Sequence, residues 1–357
     1  MDILIFIFAV FALLGILDLI TGSRFGLGPE FERGIQLIGS ITLSMLGMLC
    51  LVPIISEVIS PVILPLAEFL HLDPSVFPAM LLANDMGGAP LSTELALNSG
   101  IGSYNALVTS AMMGVTVSFT IPVALKLIEP EYQKDAMLGI LCGVCTIPVG
   151  SIAGGLVAGI PLGQLLGNTV PVAVFAVMIA VGLIKAPTLS VRILTVFGKL
   201  VTALILAGLG LGLFQYLTGV TLLKGLSPVE EHFHVFFNVA FILAGVFPLI
   251  KVLSALLKKP LAVVSERIGI NDIAALGLLT SLASAYPTFG MVRQMNRKGI
   301  IMNLAFSVSA AFVFGGHLAY TIMFDESMTL PVITAKLSAG FASLIVAHFV
   351  GRKEDKA

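Results

Sequence analysis

One acidic residue stands in a break within otherwise apolar sequence, and this break constrains the chain more than any other feature. Asp85 lies in the run Leu-Leu-Ala-Asn-Asp-Met-Gly-Gly-Ala-Pro over residues 81–90, with apolar sequence on both sides. An ionisable residue at membrane depth costs at least ~2.5–3.5 kcal/mol, and unpaired backbone there must be buried in protein or line a watery cavity. Transporters build midplane binding sites from broken helices of this kind. The break therefore predicts a protein that moves a small polar solute across a membrane.

The composition indicates a polytopic helical membrane protein. Hydrophobic residues make up 57% of the 357 residues and charged residues only 11%, with a mean hydropathy of +1.07. Soluble domains carry about 25% charged residues, and no single soluble core could bury this much apolar surface. The formal net charge of −1 argues against a nucleic-acid partner, so membrane lipid is the expected surrounding partner.

About nine segments are long and apolar enough to cross a bilayer, which takes roughly 20 apolar residues. Two further apolar stretches, 56–98 and 258–292, are interrupted by Pro, Gly, Asp or Asn. The predicted fold class is an all-α polytopic membrane protein with about nine spanning helices and two interrupted or re-entrant elements. The first span is interpreted as a retained membrane helix and not as a signal peptide, because no basic residues precede it. The predicted spans are 2–20, 35–55, 103–126, 137–160, 168–187, 195–217, 235–257, 300–323 and 329–350.

The two interrupted stretches resemble each other, which indicates an internal repeat. The dipeptide Leu82-Ala83 precedes its match Leu282-Ala283 by 200 positions, and the breaks at 84–90 and 284–290 correspond. We expect these breaks to face each other across a central cavity. The predicted parts of the chain are 1–34 (first helix and basic loop), 35–160 (repeat 1), 161–234 (connecting helices), 235–350 (repeat 2) and 351–357 (charged tail).

Loop charge predicts that the two repeats are inverted relative to each other. Loops 98–104, 160–167 and 324–329 lack lysine and arginine, whereas the loop bounded by Lys126 and Lys134 and the loop at 293–298 carry them. The positive-inside rule places basic loops on the cytoplasmic side. All basic loops lie on the cytoplasmic side only if each interrupted stretch enters the membrane and returns to the side it left. The first stretch then enters from outside and the second from the cytoplasm. Inverted repeats of this kind underlie alternating access.

The chain lacks the patterns that metal or covalent chemistry needs. Cys142 and Cys145 have redox or metal spacing, but no other Cys or His is near them in sequence, so we interpret them as packing residues. We expect no disulfide framework, no metal and no cofactor. Motifs of nucleophilic hydrolases, zinc peptidases and phosphate-binding loops are absent, so an integral-membrane enzyme is the weaker alternative.

A series of longer motifs runs along the chain in a fixed order. They are Ala83-Asn84-Asp85-Met-Gly-Gly, Ser92-Thr-Glu94-Leu-Ala, Thr146-Ile-Pro-Val-Gly-Ser-Ile-Ala-Gly-Gly155, Pro287-Thr-Phe-Gly-Met291 and His317-Leu. Together they resemble the bacterial ethanolamine-utilisation permease family, EutH, over roughly residues 30–350. The resemblance implies a permease of the bacterial cytoplasmic membrane that imports ethanolamine or a related small amine by alternating access, as a uniporter or coupled to protons.

An ammonium or small-cation channel is the alternative to a carrier. Such a channel would need selectivity rings and a pore loop repeated around an oligomer. The acids of the first break have no counterparts in the second, which favours a single solute site. Glycines at helix-packing spacing, such as Gly150 and Gly154, are interpreted as close helix contacts, and homo-oligomerisation is left open.

The first break supplies five candidate binding residues. Ethanolamine is a protonated amine at neutral pH, so its site needs a carboxylate or aromatic faces in place of water. Asp85 is the primary candidate for that carboxylate, and Glu94 is either a second acid of the site or an interfacial charge. Asn84, Gly87 and Gly88 are candidates to present side-chain or backbone groups to the solute.

The second repeat and the apolar helices supply five more candidates. Tyr286 and Ser284 correspond to the first break, and Tyr286 combines a ring face for the ammonium with a hydroxyl for the substrate's own hydroxyl. Asn105 and Asn303 are either solute-binding amides or, as the better interpretation, interhelical hydrogen-bonding residues. His317 either lines the pathway, where it would titrate near pH 6.5, or packs in the core.

Overall fold

The computed structural model describes residues 3–354, apart from the side chains at 258, 259, 261, 262, 264 and 352–354. Every regular element in this part of the chain is a helix, and it contains no strand. The predicted all-α class is therefore confirmed. The outermost residues of two predicted parts, 1–2 of the first helix and 355–357 of the charged tail, lie outside the described residues.

Seventeen α-helices follow one another along the described chain. The first nine are α1 (Ile3–Ile20), α2 (Gly28–Ile41), α3 (Gly47–Leu70), α4 (Val76–Leu81), α5 (Gly88–Leu95), α6 (Ser99–Tyr104), α7 (Ile121–Leu127), α8 (Gln133–Val144) and α9 (Ile147–Val157). The others are α10 (Leu162–Lys185), α11 (Pro187–Thr218), α12 (Phe233–Ile268), α13 (Asp272–Ala283), α14 (Ala285–Gly290), α15 (Arg297–Ala310), α16 (Gly316–Phe324) and α17 (Thr329–Glu354). Three π-helical segments accompany them at Thr42–Leu46, Asn105–Gly114 and Thr116–Thr120.

Eight helical stretches of the described chain are long and apolar enough to cross a membrane. Some of them join consecutive elements without a break, as α2, the π-helical segment after it and α3 do. The chain is thus a multi-pass membrane protein, as its composition predicts. The stretches are Ile3–Ile20, Gly28–Leu70, Ser99–Leu127, Gln133–Val157, Leu162–Lys185, Pro187–Thr218, Val229–Leu257 and Glu326–Gly351.

The predicted span 300–323 is wrong as a continuous helix, which is why the count is eight and not nine. α15 and α16 are separate helices, and neither is long enough to cross alone. Between them, the amide of Phe312 donates to the carbonyl of Ser281 at 3.0 Å, and that of Phe314 donates to the carbonyl of Leu282 at 2.8 Å. These bonds satisfy backbone groups that would otherwise stay unpaired. The unwound backbone therefore lies against the end of α13.

Two predicted spans are longer than expected. The span 35–55 continues through three prolines to the end of α3, so the first interrupted stretch begins at His71. The span 235–257 likewise continues through two prolines to the end of α12. Proline is tolerated in membrane helices because neighbouring groups satisfy the freed backbone atoms.

Glycines at the predicted packing positions let the central helices approach closely. A Cβ atom added at Gly139 or Gly143 would lie 2.4 or 2.6 Å from carbonyl oxygens of α15. One added at Gly150 would lie 2.3 Å from the carbonyl oxygen of Ala335 on α17, and one at Gly154 would lie 2.6 Å from the Cβ of Ala335. The packing interpretation is supported at these four positions. The most deeply buried elements are α15 and the π-helical segment Asn105–Gly114.

The loops that lack basic residues meet at one end of the bundle. Residues from 98–103, 158–164 and 325–328 line one surface cavity of about 450 Å³. A second, smaller cavity is lined by 127–132 and 289–293, which belong to the basic loops. One continuous helical span connects the first group of loops to the second, so the two groups lie at opposite ends.

Candidate functional site

The break predicted at Asp85 is a short non-helical turn between α4 and α5. Leu82 and Ala83 are extended, with ψ angles of 138° and 151°. A single 3-10 turn follows at Asn84–Met86, and α5 then begins. The amides of Met86 and Gly88 both donate to the carbonyl of Ala83, at 3.0 and 2.9 Å. The turn therefore holds its own backbone closed while changing the direction of the chain.

Two glycines of the break are required by its geometry. Gly87 adopts a φ of +102°, in the left-handed region that favours glycine. A Cβ atom there would also lie 2.4 Å from the Cγ of Met48, and one at Gly88 would lie 2.3 Å from the carbonyl oxygen of Leu82. Backbone conformation and close packing thus account for both glycines. Their presentation of backbone groups to a solute stays a prediction.

Asn84 and Asp85 retain unused bonding capacity inside the protein. Asn84 is fully buried, and neither its Oδ1 nor its Nδ2 has a hydrogen-bond partner in the described part of the chain. A buried polar group without a partner costs about 1–3 kcal/mol, so such amides are rare. Asp85 is partly buried and joins neither of the two ion pairs found among the described residues. A carboxylate and an amide side by side suit a small polar cation.

The turn at 84–86 packs against α16 and against the π-helical segment Asn105–Gly114. The charge of Asp85 acts on two side chains of the second half of the chain, Tyr320 of α16 and Lys336 of α17. Tyr320 and Lys336 are both almost entirely buried. The surroundings of Asp85 are therefore poorly hydrated, where charges interact strongly.

Lys336 is a buried cation that the sequence analysis missed. Its exposed fraction is 0%, and its Nζ lies 2.6 Å from the carbonyl oxygen of Ala111 and 3.3 Å from the Nδ1 of His317. Lysine is almost never fully buried unless it is paired. A signal was available, because an ionisable residue inside a membrane span is a functional candidate by default. The segment 329–350 was nevertheless apolar enough overall to pass as an ordinary span.

His317 connects this buried group to Tyr286 through aromatic rings. Its ring stacks on Phe312 with centroids 4.9 Å apart, Phe312 meets Phe119 at 5.6 Å, and Phe119 meets Tyr286 at 5.0 Å. Tyr286 is 51% exposed, yet the charge of Asp85 acts on it as well. The charge of the first break thus acts on one residue of the second, and a cavity between the two breaks stays a prediction.

Asn105 belongs to a hydrogen-bond network that ties three helical segments together. Its Nδ2 donates to the Oγ of Ser75 at 2.8 Å and to the Oδ1 of Asn168 at 2.9 Å. Asn168 donates back to the Oδ1 of Asn105 at 2.7 Å, and Thr109 donates to the same oxygen at 2.9 Å. This placement supports the interhelical interpretation of Asn105. The sequence analysis did not single out Asn168, although an amide in an apolar span is a visible signal.

Asn303 also bonds a neighbouring helix. Its Nδ2 donates to the carbonyl of Ala274 on α13 and to that of Gly299 on its own helix, both at 2.9 Å. Its Oδ1 is buried and has no partner among the described residues. The interhelical interpretation is supported here too, with one acceptor left over.

Two further candidates are not among the hydrogen-bond partners of Lys336 or His317. Glu94 is exposed near the end of α5, two turns beyond Asp85, and this placement fits an interfacial charge better than a second acid of the site. Ser284 is partly buried in extended conformation, and its amide donates to the carbonyl of Thr280 at 3.0 Å. It marks the second break, as Leu82 and Ala83 mark the first.

Comparison with known proteins identifies the family. Residues 1–350 match the model of the family described as "Ethanolamine utilisation protein, EutH". A protein of Listeria monocytogenes is 40% identical over 352 residues, covering 99% of this chain and 94% of its own length. One of Escherichia coli is 38% identical over 354 residues, covering 92% and 87%. Both are named "Probable ethanolamine permease EutH".

A relative from Bacillus subtilis carries no functional name. It is 34% identical over 349 residues, covering 98% of this chain and 94% of its own length, and is called "Uncharacterized protein YxeR". No solved structure matches the chain. The match over nearly the whole length, together with the broken helix at Asp85 and its buried surroundings, places this chain in the EutH family of ethanolamine utilisation proteins.

Proposed function

We propose that this protein is a permease that imports ethanolamine across the bacterial cytoplasmic membrane. The observation that carries the proposal is the pair at the helix break, a partly buried Asp85 carboxylate next to a buried Asn84 whose amide has no partner in the described chain. A carboxylate replaces the water around an ammonium group, and an amide can bond a hydroxyl. Ethanolamine carries both groups within one small molecule. The names of the Listeria and Escherichia relatives support the same substrate.

Transport by alternating access is the mechanism that fits the fold best. Matched hydrogen bonds 198 positions apart support two related halves, the basis on which alternating access rests. Asn98 caps α6 by accepting from the amide of Ile101, and Asn296 caps α15 by accepting from the amide of Gly299. The helical stretch Ser99–Leu127 that follows Asn98 packs against α4 through its π-helical segment, and α15 packs against α13.

The central asparagines add to this correspondence. Asn105 donates to Ser75 at the start of α4, and Asn303 donates to Ala274 at the start of α13. Each of these bonds lies within one proposed half, and the two bonds join corresponding positions of the sequence. The charge distribution of the loops supports an inverted relationship between the halves, with the basic ends in the cytoplasm.

A small-cation channel is the second candidate, and a membrane enzyme the third. The acid of the first break has no counterpart in the second, which favours one solute site over a continuous row of sites. The family and the names of its members point to transport and away from catalysis.

The deciding experiment is uptake of radiolabelled ethanolamine into liposomes that contain the pure protein. A permease gives saturable uptake and counterflow, in which excess unlabelled ethanolamine inside accelerates entry of the label. A channel gives flux without counterflow, and protein-free liposomes measure passive entry of the neutral amine. Repeating the assay with and without a pH gradient separates uniport from proton coupling. Uptake equal to that of empty liposomes would overturn the proposal.

A further inference from the structure

We propose that Lys336 is a built-in competitor of the substrate for Asp85, so that binding of a protonated amine expels the proton of Lys336. The site then holds one cation at a time, either the lysine ammonium or the substrate ammonium. This inference rests on the proposed function and extends it to the coupling between amine and proton.

The charges around the break balance only while one cation is present. Asp85 contributes one negative charge, and the buried Lys336 contributes one positive charge that Asp85 attracts. The two are not in direct contact, because neither belongs to an ion pair among the described residues. A second cation beside Asp85 would leave one positive charge uncompensated in a poorly hydrated place, which is strongly unfavourable.

The partners of Lys336 suit a neutral amine as well as an ammonium. An ammonium group has three N–H donors, whereas a neutral amine has two. Two acceptors face Nζ in the described structure, the carbonyl oxygen of Ala111 and the Nδ1 of His317. The amine form satisfies both acceptors and has no donor left over. The ammonium form has a third N–H donor and a positive charge, and the negative charge of Asp85 stabilises this form.

His317 acts here as a fixed acceptor. Lys336 can donate to Nδ1 only in the tautomer in which Nδ1 carries no proton and the ring proton resides on Nε2. The imidazole is buried and stacked on Phe312, which holds its plane in place. His317 is therefore a positioning residue for Lys336 in both protonation states.

Other titratable groups on the elements packed against α17 lie away from Lys336. The π-helical segment Asn105–Gly114 and α9 have no acidic or basic side chain. On α15, Lys298 packs beside Gly351, which is 15 residues from Lys336 and hence about 22 Å along the helix. At the opposite end of α17, Glu326 is exposed.

Two more neighbouring elements complete this environment. On α8, Asp135 pairs at 3.0 Å with Arg297 in the first turn of α15. The titratable group farther along α8 is the thiol of Cys142. On α16, the phenol of Tyr320 faces the same charge of Asp85. Asp85 is therefore the acid that balances Lys336.

The exchange conserves charge and protons. The substrate enters as an ammonium ion and replaces the lysine ammonium as the cation that balances Asp85. Lys336 passes from –NH3⁺ to –NH2, and the released proton goes to solvent. Because binding releases one proton, the apparent affinity should fall about tenfold for each unit of pH lowered, as long as Lys336 is charged in the free protein.

Proton release on binding is the direct test. Ethanolamine binding to the full-length protein in detergent is followed by calorimetry in two buffers of different ionisation enthalpy, which reports the protons released per amine bound. We expect about one proton released by the wild-type protein. Binding without proton release would overturn the inference and leave the proposed function standing. Absence of ethanolamine binding would instead count against the proposed function.

Substitutions then separate competition from a structural role. Lys336→Arg keeps a permanent charge and should weaken binding at least tenfold, whereas Lys336→Met removes the competitor and should bind at least as tightly as wild type. A merely structural cation predicts the reverse order. Lys199→Met and Lys199→Arg, at an exposed position on α11, serve as matched controls. A Lys336→Arg variant that binds ethanolamine as tightly as wild type would overturn the inference. A folded Lys336→Met variant that fails to bind ethanolamine would also overturn it. Should either variant fail to fold, the wild-type proton count still decides.

Discussion

The Nζ of Lys336 donates to the carbonyl oxygen of Ala111 across 2.6 Å, and both groups are fully buried. This bond joins α17, in the second half of the chain, to the π-helical segment that follows the first break. The turn containing Asp85 packs against the same segment. Relative movement of the two halves would therefore change the distance between the lysine and the acid. π-Helical segments of this kind occur often at functional sites.

Asp85→Asn should abolish saturable ethanolamine uptake while leaving the protein folded. The amide keeps the size of the side chain but removes the negative charge that replaces water around the ammonium. Uptake in proteoliposomes, normalised to the amount of monodisperse protein, measures the effect. Glu57→Gln is the matched control, because Glu57 is an exposed acid on α3. Wild-type kinetics in the Asp85 variant would refute the assignment of the carboxylate.

The sequence predicted the break because glycine, proline and an acid together are costly in apolar surroundings. Asp85, Gly87 and the turn between α4 and α5 lie where that reasoning put them. It failed for Lys336 because one lysine hardly lowers the mean hydropathy of a 26-residue span. It also failed at 311–315, where the unwound chain is stabilised by bonds to the carbonyls at 281 and 282. Tertiary contacts of that kind leave no local pattern to detect.

Loop 160–167 should be extracellular and loop 127–135 cytoplasmic. The basic side chains determine this orientation, and the structure places the two groups of loops at opposite ends. Single cysteines introduced into each loop, in a protein with Cys50, Cys142 and Cys145 replaced, are labelled in intact cells with a membrane-impermeant thiol reagent. Labelling is expected at 160–167 only. Labelling at 127–135 instead would invert the proposed topology.

Asn105→Ala should destabilise the protein more than it affects substrate affinity. The change leaves Asn168, Ser75 and Thr109 without their shared partner, and each unsatisfied buried group costs about 1–3 kcal/mol. Thermal unfolding in detergent measures the loss, and calorimetry measures ethanolamine affinity below the unfolding temperature.

Because Asn105 and Asn168 bond each other, the double alanine variant should lose less stability than the sum of the two single variants. Additive losses would show that the two amides act independently, and loss of affinity in folded Asn105→Ala would return this residue to the binding site.

Tyr286→Phe should weaken ethanolamine more than ethylamine. The phenol is half exposed at the second break, and the charge of Asp85 acts on it. If the tyrosine hydroxyl bonds the hydroxyl of ethanolamine, its loss costs about 0.5–1.5 kcal/mol, a several-fold drop in apparent affinity. Ethylamine lacks that hydroxyl and should be affected little, since the ring that faces its ammonium is retained. Competition of each amine against radiolabelled ethanolamine gives the two affinities. Tyr216→Phe is the matched control, because Tyr216 is similarly exposed on α11 and packs its ring against Phe233 instead. Equal weakening of both amines would show that Tyr286 does not bond the substrate hydroxyl, and unchanged affinities would remove it from the site.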